Sequence, residues 1–199
     1  WNFALAILAG MTSAAVVAGN TVVLKPSSDS PLTGWKYFSL MREVGVPAGV
    51  INFVTGPGGV VGDTMVTHPK TRFVSFTGSK EVGIHINELA AKVQPGQKWL
   101  KRVVAEMGGK DSIVIDDQTD LDAAAQATVA SAFGFQGQKC SAASRAIVVD
   151  KVYDKFINLV KEKVDAIKVG SSDDPLNYMG PVVNRGSRDK IIAYVEKGL

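Results

Sequence analysis

The sequence predicts an α/β fold built on a parallel sheet, and three observations carry that reading. Short apolar runs bounded by glycine or proline recur through the first half, at Thr21–Lys25, Val50–Val54, Arg72–Phe76 and Lys101–Ala105. Segments with helical spacing of apolar residues lie between them, as at Trp35–Val44 and Glu81–Val93. Glycine-rich turns follow the runs. Strands separated by crossovers of this length pair in parallel, because a short hairpin cannot return the chain to the same end of the sheet.

Taken in order, the window Phe3–Ala18 is the most apolar, but Thr12, Ser13 and glycine interrupt it. It is shorter and more polar than a membrane span and reads as a buried helix. The first two runs are buried strands, and Gly56-Pro57-Gly58-Gly59-Val60-Val61-Gly62 after the second reads as a tight turn. It misses the dinucleotide fingerprint because Val61 stands where the last glycine belongs. After the third and fourth strands come a helix at Leu121–Phe133, a strand at Arg145–Val149, a helix at Tyr153–Ile167 and a closing helix near Lys190–Lys197. A boundary near Met107-Gly108 divides the chain into residues 1–107 and 108–199, with no repeat or long linker.

Composition narrows the function classes. The chain has 199 residues, 46% hydrophobic and 21% charged, with a formal net charge of +3 and lysines scattered among acids. No basic stripe marks a nucleic-acid partner, and no membrane partner is expected. The single cysteine forbids an internal disulfide, and His68 and His85 stand apart from any ligand cluster, so no metal is expected. A reducing compartment fits: the cytoplasm, or the mitochondrial matrix in a eukaryote. The chain opens on Trp1 without methionine and closes inside a helix, and so reads as a segment of a longer protein.

Chemistry concentrates in a few places. Cys140 lies in Gly134-Phe135-Gln136-Gly137-Gln138-Lys139-Cys140-Ser141-Ala142-Ala143-Ser144-Arg145, among small and amide side chains with a cation beside it. That setting suits a reactive thiol, although free cysteines are commonly just buried. Thr77-Gly78-Ser79 opens a helix, where Ser79 serves either as a plain N-cap or as part of a pyrophosphate cradle. Lys25 at a strand end either reaches a ribose or phosphate, or is merely solvated. Glu106 on local grounds is a strand-end glutamate.

Five motifs then occur together and in order: Trp1-Asn2-Phe3, Lys25-Pro26-Ser27, Phe76-Thr77-Gly78-Ser79, Glu106-Met107-Gly108-Gly109-Lys110 and Gly137-Gln138-Lys139-Cys140. The ordered set resembles the aldehyde dehydrogenase superfamily over essentially the whole chain. More narrowly, Val93–Arg102 and Gly134–Arg145 resemble the 1-pyrroline-5-carboxylate dehydrogenases, which oxidise L-glutamate γ-semialdehyde in proline degradation. The resemblance implies part of a Rossmann-type NAD-binding domain over residues 1–107, its parallel sheet covered by helices on both faces. The start of a second, thiol-bearing α/β catalytic domain is implied over residues 108–199.

It also implies roles. Cys140 would attack the aldehyde carbon, giving a hemithioacetal and then a thioester. Asn2, with the backbone amide of the cysteine, would hold the oxyanion. Glu106 would activate water for hydrolysis. Lys25 would contact the adenosine ribose, Gly78 and Ser79 would lie under the pyrophosphate, and Trp1 would line the cofactor cleft. Ser28 departs from the glutamate that many NAD-preferring relatives carry; losing that carboxylate removes repulsion against a ribose phosphate, so some NADP use is expected although NAD remains the favoured cofactor. Ser141 is the candidate anchor for the substrate carboxylate. A homo-oligomer is expected of the full-length protein. The competing readings are a dehydrogenase for another aldehyde, such as succinate semialdehyde, and a non-catalytic nucleotide-binding relative.

Overall fold

The computed structural model describes residues 2–198. Its backbone divides into two compact units, residues 1–108 and 109–199. In the first, the predicted buried helix forms α1 (Ala6–Val17). It ends at Gly19, whose φ of +80° lets the amides of Gly19 and Asn20 fold back onto the carbonyls of Val16 and Ala15 at 2.9 and 3.0 Å, satisfying groups a helix end leaves open. β1 (Val22–Leu24) follows. α2 (Pro31–Glu43) carries proline in its first turn, where a missing N–H costs nothing.

β2 (Ile51–Phe53) pairs in parallel with β1, Val22 opposite Ile51 and Leu24 opposite Phe53. The glycine-rich segment after β2 differs from the tight turn expected of it. Gly58–Gly62 forms a wide π-helical turn that runs on into the short helix α3 (Asp63–Thr67). Glycine disfavours helix, which hid the element; the Thr64 hydroxyl, donating to the Val60 carbonyl at 2.7 Å, helps bind the two parts. β3 (Phe73–Thr77), α4 (Lys80–Ala91) and β4 (Arg102–Glu106) complete the unit, with β3 and β4 parallel from Phe73 opposite Arg102 to Thr77 opposite Glu106. Both strands lie one residue later than the sequence pattern placed them, so that Glu106 is the last residue of β4.

The second unit begins with a strand the sequence did not announce, β5 (Asp111–Ile115). α5 (Leu121–Phe133) is capped by Asp120, whose carboxylate accepts from the amides of Asp122 and Ala123 at 3.0 and 3.2 Å. β6 (Ala143–Val148) lies parallel to β5, and α6 (Tyr153–Asp165) and α7 (Arg185–Gly198) follow. The described strands therefore form three two-stranded ladders, all parallel.

Each ladder buries one side. Leu8 of α1, Leu24 of β1, Tyr37 of α2 and Ile51 of β2 make one core; Val66 of α3 with Ile86 and Ala90 of α4 make a second. Ile115, Ala125 and Phe156 make the third, joining β5, α5 and α6. Among the described residues no helix is long and apolar enough to cross a membrane. Phe156 is 0% exposed, so its truncation leaves a cavity in the third core. Phe156→Ala is expected to cost about 3–5 kcal/mol of stability, seen as a lower thermal unfolding midpoint of the intact protein; an unchanged midpoint would show that the third core is not a closed unit.

Candidate active site

In the first unit the chemistry-bearing side chains follow the carboxyl ends of the strands, where an open parallel sheet places its ligands. Lys25 comes directly after β1. Its ammonium is half-buried and donates to the Pro26 carbonyl at 2.9 Å, and burial lowers its pKa below the ordinary lysine value. Its Cε lies 3.8 Å from the place a Cβ on Gly62 would take, so the lysine stem lies along the π-helical turn. Ser28, exposed and three residues on, donates from its hydroxyl to the Gly56 carbonyl at 3.4 Å. The turns after β1 and β2 thus meet through Lys25 and Ser28.

The turn after β3 is built on backbone. The Gly78 amide donates to the Glu106 carbonyl at 3.0 Å, extending the ladder one step beyond the strands. The Ser79 hydroxyl accepts from the Val82 amide at 3.3 Å, so Ser79 is a true N-cap of α4. Two glycines sit in close packing: a Cβ on Gly78 would stand 2.5 Å from the Phe76 ring, and one on Gly83 2.6 Å from the Met107 sulfur. The Glu106 side chain is exposed. Asn2 is half-buried just ahead of α1, and α1 reaches this region through Met11, whose sulfur accepts from the Thr77 hydroxyl at 3.5 Å. The expectation for Trp1 lies outside the described residues.

In the second unit Cys140 and Ser141 share an exposed turn between α5 and β6. The chain reaches it through three successive residues in the left-handed region: Phe135 (φ 55°), Gln136 (φ 56°) and Gly137 (φ 68°). Such a backbone costs of order 1–3 kcal/mol at each non-glycine residue. Local bonds hold it. The Gln138 amide donates to the Phe135 carbonyl at 3.0 Å, and a Cβ on Gly137 would stand 2.7 Å from the Ala132 carbonyl. Beyond the thiol, the Ala142 amide donates to the Lys139 carbonyl at 3.2 Å and the Ala143 amide to the Ser131 hydroxyl at 3.2 Å. The Lys139 ammonium lies against Gly134, 3.3 Å from its would-be Cβ.

Gly109 and Gln136 lie inside the motifs that carry the family resemblance, without a role implied for either. A Cβ on Gly109 would collide with the Cys140 carbonyl oxygen, so the Gly109 backbone is the surface on which the Cys140 backbone rests. The paired glycines Gly108-Gly109 are the sequence signal that was available. Among the described residues no group of histidine, cysteine and carboxylates is arranged to hold a metal. What the parts can do chemically is present an exposed thiol on a stiff turn in one unit, and a carboxylate, an ammonium and a capped helix start in the other.

The aldehyde dehydrogenase family matches residues 1–199. A 1-pyrroline-5-carboxylate dehydrogenase of Geobacillus thermodenitrificans is 57% identical over 198 residues, covering 100% of this chain and 38% of that protein; one of Bacillus mycoides is also 57% identical with the same coverage. The chain therefore spans about 38% of the length of these curated relatives. Among solved structures, a Thermus 1-pyrroline-5-carboxylate dehydrogenase with bound NAD superposes with a TM-score of 0.95 at 45% identity, covering 98% of this chain and 38% of that one. Proline utilization A from Bdellovibrio bacteriovorus, inactivated by N-propargylglycine, gives 0.96 at 50% identity, covering 100% and 21%.

The Gly109 contact gives a test with an internal control. Gly109→Ala must displace the Cys140 carbonyl, whereas a Cβ on Gly108 meets open space. Forcing extra atoms into a packed site of this kind costs about 1–3 kcal/mol. The thermal unfolding midpoint of the intact protein is expected to fall for Gly109→Ala and to stay near wild type for Gly108→Ala; equal midpoints in the two variants would contradict the contact's importance.

Proposed function

The chain belongs to the aldehyde dehydrogenase family, and on that footing we propose that the intact protein oxidises L-glutamate γ-semialdehyde, the open form of 1-pyrroline-5-carboxylate, to L-glutamate with NAD. The observation that carries this reading is the 57% identity, across all of this chain, to a protein named for that reaction. The exposed thiol on a stiffened turn supports it.

In this reading Cys140, as thiolate, attacks the aldehyde carbon, and a C–S bond forms as the carbonyl π electrons move to oxygen. The side-chain amide of Asn2 and the backbone amide of Cys140 donate to that oxyanion, an arrangement that stabilises the developing charge more than the ground state. NAD, when bound, supplies the acceptor for the hydride whose loss leaves a thioester on Cys140. Glu106 takes a proton from water, the water oxygen attacks the thioester carbon, and the C–S bond breaks to return the thiolate. Sulfur suits both halves, being a strong nucleophile as thiolate and a good leaving group from an acyl carbon.

The residues present fit a dinucleotide. Lys25 presents a partly desolvated ammonium beside the π-helical turn, and Gly78 with Ser79 opens α4, where the helix dipole favours phosphate. We assign Lys25 and Ser28 to the adenosine ribose, Gly78 and Ser79 to the pyrophosphate and Trp1 to the cofactor's surroundings. Ser28, being neutral, also tolerates a ribose phosphate, which allows some use of NADP. Ser141, with an exposed hydroxyl beside the nucleophile, is assigned to the substrate carboxylate. Residues 1–107 are then part of the NAD-binding domain and 108–199 the first part of the catalytic domain, of a homo-oligomer in a reducing compartment such as the cytoplasm.

NADH formation by the intact protein tests this. Glutamate semialdehyde is expected to be preferred over succinate semialdehyde at equal concentration, and Cys140→Ala to lower the rate by about 10³-fold or more. Equal or reversed preference would overturn the substrate, and activity in the variant would overturn the nucleophile.

A further inference from the structure

We propose that Gln136 is a positioning residue for Cys140, acting through its side-chain amide; the inference rests on the reading of Cys140 as the nucleophile. Left-handed backbone at a residue with a side chain persists only where its surroundings hold it. Glycine would relieve the conformation at position 136 as it does at Gly137, yet glutamine stands there with φ 56° and ψ 30°. Its amide supplies what glycine cannot. Nε2 donates to the carbonyl of Gly180, 44 residues further on, at 3.0 Å. Oε1 accepts from the Gln138 side-chain amide at 3.2 Å. One planar group thus joins the strained turn, the residue two before the thiol and a distant loop.

The distant loop is a firm anchor. The Gly170 amide donates to the Met179 carbonyl at 3.2 Å and the Tyr178 amide to the Lys168 carbonyl at 2.9 Å, while the Asn177 side chain donates to the Ser171 carbonyl at 3.0 Å. Gly180 therefore closes a bonded loop and offers a fixed acceptor. The network also fixes which way the amide faces, since the reverse orientation would set two oxygens together at Gly180 and two donors together at Gln138. Movement of Gln136 passes to Gln138 through this bond and through the Gln138 amide to the Phe135 carbonyl, and Cys140 is two residues beyond.

The test replaces the donor without changing the shape. Gln136→Glu keeps an acceptor for Gln138 and turns an oxygen toward the Gly180 carbonyl; Gln136→Met, uncharged and of equal length, is carried in parallel so that a folding failure of one leaves the other to read. In the intact protein kcat is expected to fall at least about tenfold in both variants, with the KM for NAD within about twofold and the thermal midpoint within about 2 °C of wild type. Unchanged kcat would overturn the proposal. A fall in kcat accompanied by a matching loss of thermal midpoint and NAD affinity would overturn it too, by showing a general structural role. Cys140→Ala measured alongside separates the two readings, because an active Cys140→Ala removes the nucleophile, whereas an inactive one with a wild-type Gln136→Glu removes this inference alone.

Discussion

Parallel strand pairing is the constraint on which the other features rest. A parallel ladder cannot be closed by a hairpin, so each strand must be followed by a crossover, and both strands of a ladder end at the same edge. The β1–β2 and β3–β4 registers therefore bring the turn after β1 to the turn after β2, and the turn after β3 to Glu106. Lys25 meets Gly62, Ser28 meets Gly56 and Gly78 bonds Glu106 for this one reason. The ladder brings these segments together, and side chains then add charge, hydrogen bonds and reactivity.

The second unit solves a different problem, holding the Cys140 thiol on an exposed turn. Exposure gives a thiol access but little packing to hold it. Rigidity comes instead from the main chain: left-handed residues at Phe135, Gln136 and Gly137, the Gly109 backbone pressed on the Cys140 carbonyl, and β6 starting at Ala143, whose amide is bound to Ser131. The stored strain of order 1–3 kcal/mol per non-glycine residue is offset by hydrogen bonds to Gln138 and Gly180. Pre-organisation of this kind suits the covalent step proposed for Cys140, because a thiol held in place beforehand need not be ordered as the bond forms.

Much of the fold is legible in the sequence, for reasons that can be named. The helices α1, α2, α4, α5 and α6 announce themselves because each has enough turns for apolar spacing to stand out, with Pro31 and Ser79 marking two of the starts. β5 does not, since Asp111 and Ser112 open it and only Ile113-Val114-Ile115 remain apolar before two further aspartates. α3 hides behind four glycines between Gly56 and Gly62. At the candidate site, ordered motifs single out Cys140, Glu106, Asn2, Lys25 and the Gly78-Ser79 turn, because the chemistry demands particular functional groups. The backbone that presents the thiol is not legible: nothing in Phe135-Gln136 signals a positive φ, and Gly108-Gly109 reads as flexible chain when one of the two is a tight contact. Composition and spacing report side-chain chemistry well, and tertiary main-chain contacts poorly.

In the proposed mechanism Cys140 carries the acyl group that Glu106 helps to release. Mass spectrometry of the intact protein bearing Glu106→Gln, quenched in acid after mixing with NAD and glutamate semialdehyde, tests it most directly. Slowed hydrolysis is expected to leave the glutamyl group as a thioester on the peptide containing Cys140. An unmodified Cys140 in a protein that is turning over, or an acyl group on another residue, would contradict the account.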